Sequence, residues 1–212
     1  TGMIYMIKKL FIFLLLLNSC ALIENKVTYD VISNLVFGIP DIPIDSNFIQ
    51  EKSSSFIKIK VGRSSVAIMT LSQIRGDIFV WVGANKERIE TRYGRVISAT
   101  GLGHNMEILN IANIQPIEFG ETDLVIRLQD PEAIAEVKLF TSEEGQEKLL
   151  LDKPYLTNKY KVLFSTRSFE WSGSSYYWLD TRSDLPFLPI KSVTVIHPRI
   201  SPVEIEFYYK FL

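Results

Sequence analysis

The sequence predicts a mainly β fold: an antiparallel meander forming a curved sheet or half-open barrel, with a short N-terminal helix and few other helical turns. Three observations lead there. From residue 55 onward apolar and polar side chains alternate with a period of two, as in Phe56-Ile57-Lys58-Ile59-Lys60-Val61, the pattern of a strand with one buried face. The runs are short and separated by glycine-bearing turns, which favours antiparallel neighbours over crossovers. The chain is also 47% hydrophobic and 12% aromatic, enough for a substantial core at this length.

The first stretch is not part of that body. Met6-Ile7-Lys8-Lys9 leads into Leu10-Phe11-Ile12-Phe13-Leu14-Leu15-Leu16-Leu17 and then Asn18-Ser19-Cys20. Two lysines, a short apolar run and a small-residue exit are the three regions of a secretory signal peptide. A spanning helix needs about 20 apolar residues, more than this run has. Residues 1–5 read as an extension ahead of a start at Met6, and residues 1–19 as the removed segment. Leu17-Asn18-Ser19-Cys20 resembles the bacterial lipoprotein signal. That resemblance implies cleavage before Cys20, diacylation of its thiol and acylation (palmitate) of the new amino terminus. The covalent lipid on Cys20 is then the only prosthetic group expected. Ala21, where an Asp would be linked to inner-membrane retention, implies the periplasmic face of the outer membrane. The alternative is an ordinary signal peptide with an incidental cysteine.

Removing residues 1–19 takes away Lys8 and Lys9 and no acid, which leaves 21 basic and 24 acidic side chains. A weakly acidic body offers no electrostatic footprint for nucleic acid, so no nucleic-acid partner is expected. Cys20 is the only cysteine, so no disulfide staples the fold, and stability has to come from burial and strand pairing.

The mature chain then reads in order. Residues 20–45 form a lipidated tether. Within it Val27, Val31, Ile32, Leu35 and Phe37 have helical spacing up to Gly38, and Pro40 and Pro43 impose an extended linker. Residues 46–212 read as a single β domain. Its first half places strands at 56–61, 66–71, 77–82, 88–92 and 95–100, a loop at 101–105 and a helical turn at 106–111. Its second half pairs 122–128 with 135–140 around Asp130-Pro131 and takes the charged run 143–148 as a solvated hairpin tip. Long strands follow at 160–171 and 175–179, and 191–196 and 203–211 close the chain. Pro186, Pro189, Pro198 and Pro202 restrict where ladders run.

Three stretches together resemble the YjbF/GfcB family of lipoproteins, encoded with exopolysaccharide and group 4 capsule systems. They are the hairpin Ile57-Lys58-Ile59-Lys60-Val61-Gly62 with Val66-Ala67-Ile68-Met69-Thr70-Leu71; Trp81 with Thr91-Arg92-Tyr93-Gly94-Arg95-Val96-Ile97-Ser98-Ala99-Thr100-Gly101-Leu102; and Tyr177-Trp178-Leu179-Asp180 with Pro202-Val203-Glu204-Ile205-Glu206. The likeness is strong over residues 55–110 and looser elsewhere.

The candidate residues follow from their chemistry. Arg92 and Arg95 flank a tight turn, and both guanidinium groups are expected at one end of a hairpin, facing an anion or glycan or paired with Glu87, Glu90 or another surface acid. Phe169, Trp171, Tyr176, Tyr177 and Trp178 concentrate aromatic surface. Rings suit the apolar faces of sugars, and they equally suit a core; alternation puts Tyr176 and Trp178 on one face and Tyr177 on the other. Trp171, Tyr176 and Trp178 are therefore the glycan or partner candidates beside the two arginines. No catalytic or metal-binding set is expected. His104 and His197 are the only histidines, they lack metal-ligand spacing, and they read as surface or capping residues. Glu170 and Asp180 could form the carboxylate pair of a glycan hydrolase if their strands bring them together.

The family resemblance implies a non-enzymatic outer-membrane lipoprotein that assists capsule or exopolysaccharide assembly or export. It would do so by binding envelope partners such as polysaccharide-export proteins, or the polysaccharide itself. A carrier holding a lipid or glycolipid in a half-open β cavity is the second reading, a periplasmic glycan hydrolase the third. A dry cavity would favour the carrier, paired carboxylates in a cleft the hydrolase.

Overall fold

A computed structural model of the protein describes residues 44–117, 120–130, 132–181 and 187–210. The expected signal peptide, Cys20, the helix expected at 21–37 and the expected proline linker lie outside the described residues. The described part begins with a helix that sequence periodicity did not announce, α1 (Ser46–Glu51), capped by Asp45, whose Oδ1 accepts the Phe48 N–H at 2.8 Å.

Twelve strands follow among the described residues: β1 (Phe56–Val61), β2 (Ala67–Arg75), β3 (Ile78–Val82), β4 (Arg88–Arg92), β5 (Arg95–Thr100), β6 (Met106–Ile108), β7 (Gly120–Leu128), β8 (Ala133–Leu150), β9 (Pro154–Thr166), β10 (Ser172–Asp180), β11 (Pro189–Thr194) and β12 (Val203–Tyr208). Each pairs antiparallel with the next, and β1 pairs with β12, so the sheet closes into a barrel. The half-open sheet expected from sequence is thus corrected to a closed one. The cause lies in β1 and β12, whose alternations match: Ile57↔Phe207, Ile59↔Ile205 and Val61↔Val203 turn inward, Lys58↔Glu206 and Lys60↔Glu204 outward. The Lys58 ammonium lies 3.3 Å from Glu206. Joining them covers two edges that would otherwise expose unpaired backbone. Outside this seam Phe56 stacks on Tyr208 at 4.7 Å, and Phe48 of α1 packs edge-on against Phe56.

Several boundaries move. The run 143–148 is not a tip; it lies inside β8, where a bulge sits between Glu143 and Gly145, and the chain turns instead at 151–153. Charges occupy it because this part of the hairpin is solvated, so charge marked exposure rather than a turn. The stretch 160–171 divides into the end of β9 and a turn held by the Thr166 hydroxyl, which donates to the Phe169 carbonyl. The helical turn expected at 106–111 becomes β6 followed by one 3₁₀ turn, Ile111–Asn113.

One hairpin matters most for the interior. Tyr93 (φ +50°) and Gly94 (φ +73°) form a two-residue turn closed by the Arg92↔Arg95 pair, the backbone that matches strand twist and favours glycine. A Cβ on Gly94 would lie 2.1 Å from Pro189 Cγ, and the Tyr93 ring packs edge-on against Phe187. β11 is half-way round the barrel from β5, so this turn touches the opposite wall. On the β1–β4 side the lumen is filled. Trp81 is fully buried with Ile57, Met69, Ile89 and Ile205; it packs against Phe207, and its Nε1–H donates to Thr91 Oγ1 at 2.9 Å. On the β6–β10 side a space remains.

Candidate functional site: the lumen around Arg95

That space is a chamber of about 60 Å³. Its wall is mostly apolar: Met106 and Ile108 from β6, Leu124 and Ile126 from β7, Phe164 from β9. Sheet register builds a polar strip into it. Thr141 of β8 pairs with Val162 of β9, and Val162 with Ser175 of β10. The Ser175 hydroxyl meets Thr194 Oγ1 of β11 at 3.3 Å and accepts the Val195 N–H. One rung further along, Tyr177 lies between Tyr160 and Ser192. Three of these four adjacent strands, β8, β10 and β11, therefore turn hydroxyls to one side of the lumen, because inward positions recur every second residue.

Arg95 lines this chamber and is 8% exposed. Its Nη2 reaches Thr141 Oγ1 at 3.5 Å, and its guanidinium carbon lies 5.3 Å from the centre of the Tyr177 ring. Among the described residues no carboxylate forms an ion pair with it. Burial pushes its pKa down from the usual arginine value, and the Tyr177 side chain offsets this only in part. Trp171 lines the same chamber, stacked on Phe169 and edge-on to Phe164 at 4.9 Å. Trp171 and Val195 are half-buried, so the chamber meets solvent beside them.

The five contact candidates are thus distributed over three places. Arg95 and Trp171 share the lumen. Arg92 lies elsewhere: its guanidinium pairs with Asp77 at 2.8 Å and donates to the Ile111 carbonyl. The two arginines are register partners at one end of the β4–β5 hairpin, but their guanidinium groups reach different neighbours, Asp77 and the Ile111 carbonyl for Arg92, Thr141 and Tyr177 for Arg95. The ion-pair reading holds for Arg92, with Asp77 rather than Glu87 or Glu90 as partner. Burial pushes the Asp77 carboxyl up, and hydrogen bonds from Tyr93 and Arg92 outweigh it, so it titrates below the usual carboxylate range.

Tyr176 and Trp178 lie on the outer face of β10, as alternation required. They are roofed by cations: Lys159 Nζ sits 5.2 Å from the Tyr176 ring centre and 5.4 Å from that of Trp178, and Lys191 lies 5.9 Å from Trp178. The Trp178 Nε1–H donates to Glu147, which also pairs with Lys159 at 3.5 Å. Trp178 is consequently buried, and its ring presents no open face for a sugar. Phe169 joins Trp171, and Tyr177 turns inward.

At the far rim the rings of His104 and His197 stack at 4.7 Å, 2° from parallel. His197 is fully buried rather than a surface residue, and its Nδ1 accepts the Arg199 N–H, which keeps the capping half of the expectation. Burial, and then His104, hold its pKa below the ordinary value. Glu170 lies just before the first residue of nine-residue β10 and Asp180 is its last, roughly 25 Å of strand apart, so they form no catalytic pair. No cluster of His, Cys, Asp and Glu suited to a metal ion occurs among the described residues. No helix among them is long and apolar enough to cross a membrane. Sequence reasoning passed over Thr141, Ser175 and Thr194, because a buried hydroxyl in an alternating strand carries no signal until the register is known.

A family model described as group 4 capsule polysaccharide lipoprotein gfcB, YjbF, matches residues 29–208. The chain belongs to this family. The YjbF family match runs through every strand of the barrel. Among solved structures, the hypothetical lipoprotein YmcC from Escherichia coli K12 is similar: the TM-score is 0.66 at 17% identity, over 84% of this chain and 94% of that one. At that identity the likeness is one of fold. An exported protein with YmcC-like fold from Bacteroides fragilis (10% identity, 81% and 97% covered) and a lipoprotein from Parabacteroides distasonis (8%, 75% and 95%) each give a TM-score of 0.35. No curated protein matches the sequence.

Proposed function

We propose that this chain is a lipid-anchored, non-enzymatic lipoprotein at the periplasmic face of the outer membrane. There it assists the assembly or export of a capsular or exopolysaccharide by binding envelope partners or the glycan. The observation that carries this reading is the family match over residues 29–208. Leu17-Asn18-Ser19-Cys20 supports it by supplying the acylated cysteine. Two or three acyl chains on one residue hold a protein at a bilayer far longer than one chain does, and confinement there raises its effective concentration toward other envelope components.

The carrier reading gains little. A chamber of about 60 Å³ holds a few water molecules or one functional group, not an acyl chain. The hydrolase reading loses its residues, since Glu170 and Asp180 are far apart.

Deletion of the gene in the source bacterium, with complementation by wild type or Cys20→Ala, tests the proposal. Deletion should lower cell-surface polysaccharide, and the Cys20→Ala protein should leave the membrane fraction and fail to restore it. Unchanged surface polysaccharide on deletion, or full rescue by a soluble Cys20→Ala protein, would overturn it.

A further inference from the structure

Arg95 poses a physical question that a scaffold role does not answer. A guanidinium out of water is costly unless it is paired with an opposite charge, yet its described neighbours are the Thr141 hydroxyl and the Tyr177 ring and hydroxyl, all neutral groups. A barrel needing only to be filled would place an apolar residue here, as it does at Ile97 and Ala99 further along the same strand, both fully buried. The chamber beside Arg95 is unfilled, while the opposite side of the lumen is packed with Trp81 and its neighbours.

We propose that the lumen is a binding site for one small oxyanion group, a carboxylate or a phosphate, with Arg95 as its counter-charge. The wall suits that chemistry and no other ionic one. Arg95 supplies a planar fork of donors matched to two oxygens. The hydroxyls of Ser175 and Thr194, which line the chamber, donate to the remaining lone pairs, and the Thr141 hydroxyl accepts from the guanidinium itself. The volume limits what goes inside to the acidic group and at most a short apolar stub, which Phe164, Ile126 and Met106 would surround. The group arrives past Trp171, as a free small acid or as the acidic tip of a molecule whose body stays outside. This goes beyond the polysaccharide reading and stands or falls separately from it, because it is read on purified protein.

The experiment uses full-length protein in non-ionic detergent at constant ionic strength. Thermal unfolding and calorimetry are followed with acetate, butyrate and inorganic phosphate as probes and with butyramide as the neutral control. The anions should raise the melting temperature in a saturable way and butyramide should not. Arg95→Met should fold and lose the anion response. Thr141→Val should keep it with about tenfold weaker affinity, the usual cost of one hydrogen bond to a charged group. A response to butyrate alone assigns a carboxylate, to phosphate alone a phosphate; either upholds the site. If Arg95→Met fails to fold, Thr141→Val and Ser175→Ala carry the test, since both leave the charge in place. No saturable anion response in wild type, or an equal response in wild type and in these variants, would overturn the proposal.

Discussion

The two sides of this barrel are built from the same alternation and packed in opposite ways. Around Trp81 the inward residues are large and close on one another: Trp81 against Phe207 and Phe79, with Ile57, Ile89 and Ile205 fully buried between them. Across the Tyr93–Gly94 turn a mostly apolar wall with a few hydroxyls leaves a small space beside a buried cation. One side behaves as a core that stabilises by burial; the other gives up packing and desolvates a charge. A closed sheet thus holds the fold together through one packed core and still leaves a small chamber on one side of it.

The largest effect should come from the filled side. Trp81→Ala removes a fully buried indole and leaves Thr91 Oγ1 without its donor, and should cost about 3–5 kcal/mol in denaturant unfolding. A loss below about 1 kcal/mol would break the contrast. The turn between the two sides is next: Gly94→Ala combines a positive φ with a methyl driven into Pro189 and should cost about 2–4 kcal/mol. Arg95→Met, on the open side, should go the other way in ligand-free protein, from no change to about 2 kcal/mol of added stability. A large destabilisation would make Arg95 part of the core instead.

His197 gives a smaller, pH-dependent signature. Its folded pKa lies below the unfolded value of 6.5, chiefly through burial. The neutral ring is therefore favoured by folding; the contribution is complete above pH 6.5 and is lost as pH falls below it. The melting temperature should drop between pH 7 and pH 5, and His197→Gln should flatten that slope. The smallest effect belongs to the outer face, where Lys159→Ala should cost about 0.5–1 kcal/mol, screened by salt.

Much of this was legible beforehand. Strict alternation at 56–61 and the Tyr93-Gly94 dipeptide fixed strands, faces and one turn, because both signals are local. Alternation also placed Tyr177 and Trp178 on opposite faces, though only the structure showed that the outer ring lies under Lys159 and Lys191. Closure was hidden, since the pairing of β1 with β12 joins the two ends of the body. The site is half visible in the sequence: Arg95 stands out beside its turn and Trp171 within an aromatic cluster. Their meeting inside depends on a turn that reaches the far wall, and no spacing along the chain encodes that. Thr141, Ser175 and Thr194 come together only through the stagger of four strands.

β8 extends beyond its neighbour: its register with β7 ends at Gly120↔Thr141, while β9 continues beside it to Leu150. Among the described residues, 142–150 therefore keep one flank unpaired, a template on which another polypeptide could add itself. Glu143, Glu144, Glu147 and Lys148 and the bulge at Glu143/Gly145 lie along that flank. The charged run that reads as a loop in the sequence thus lies along a strand edge, where charges disfavour the addition of another strand. A variant stripped of those charges should self-associate while its fold stays intact.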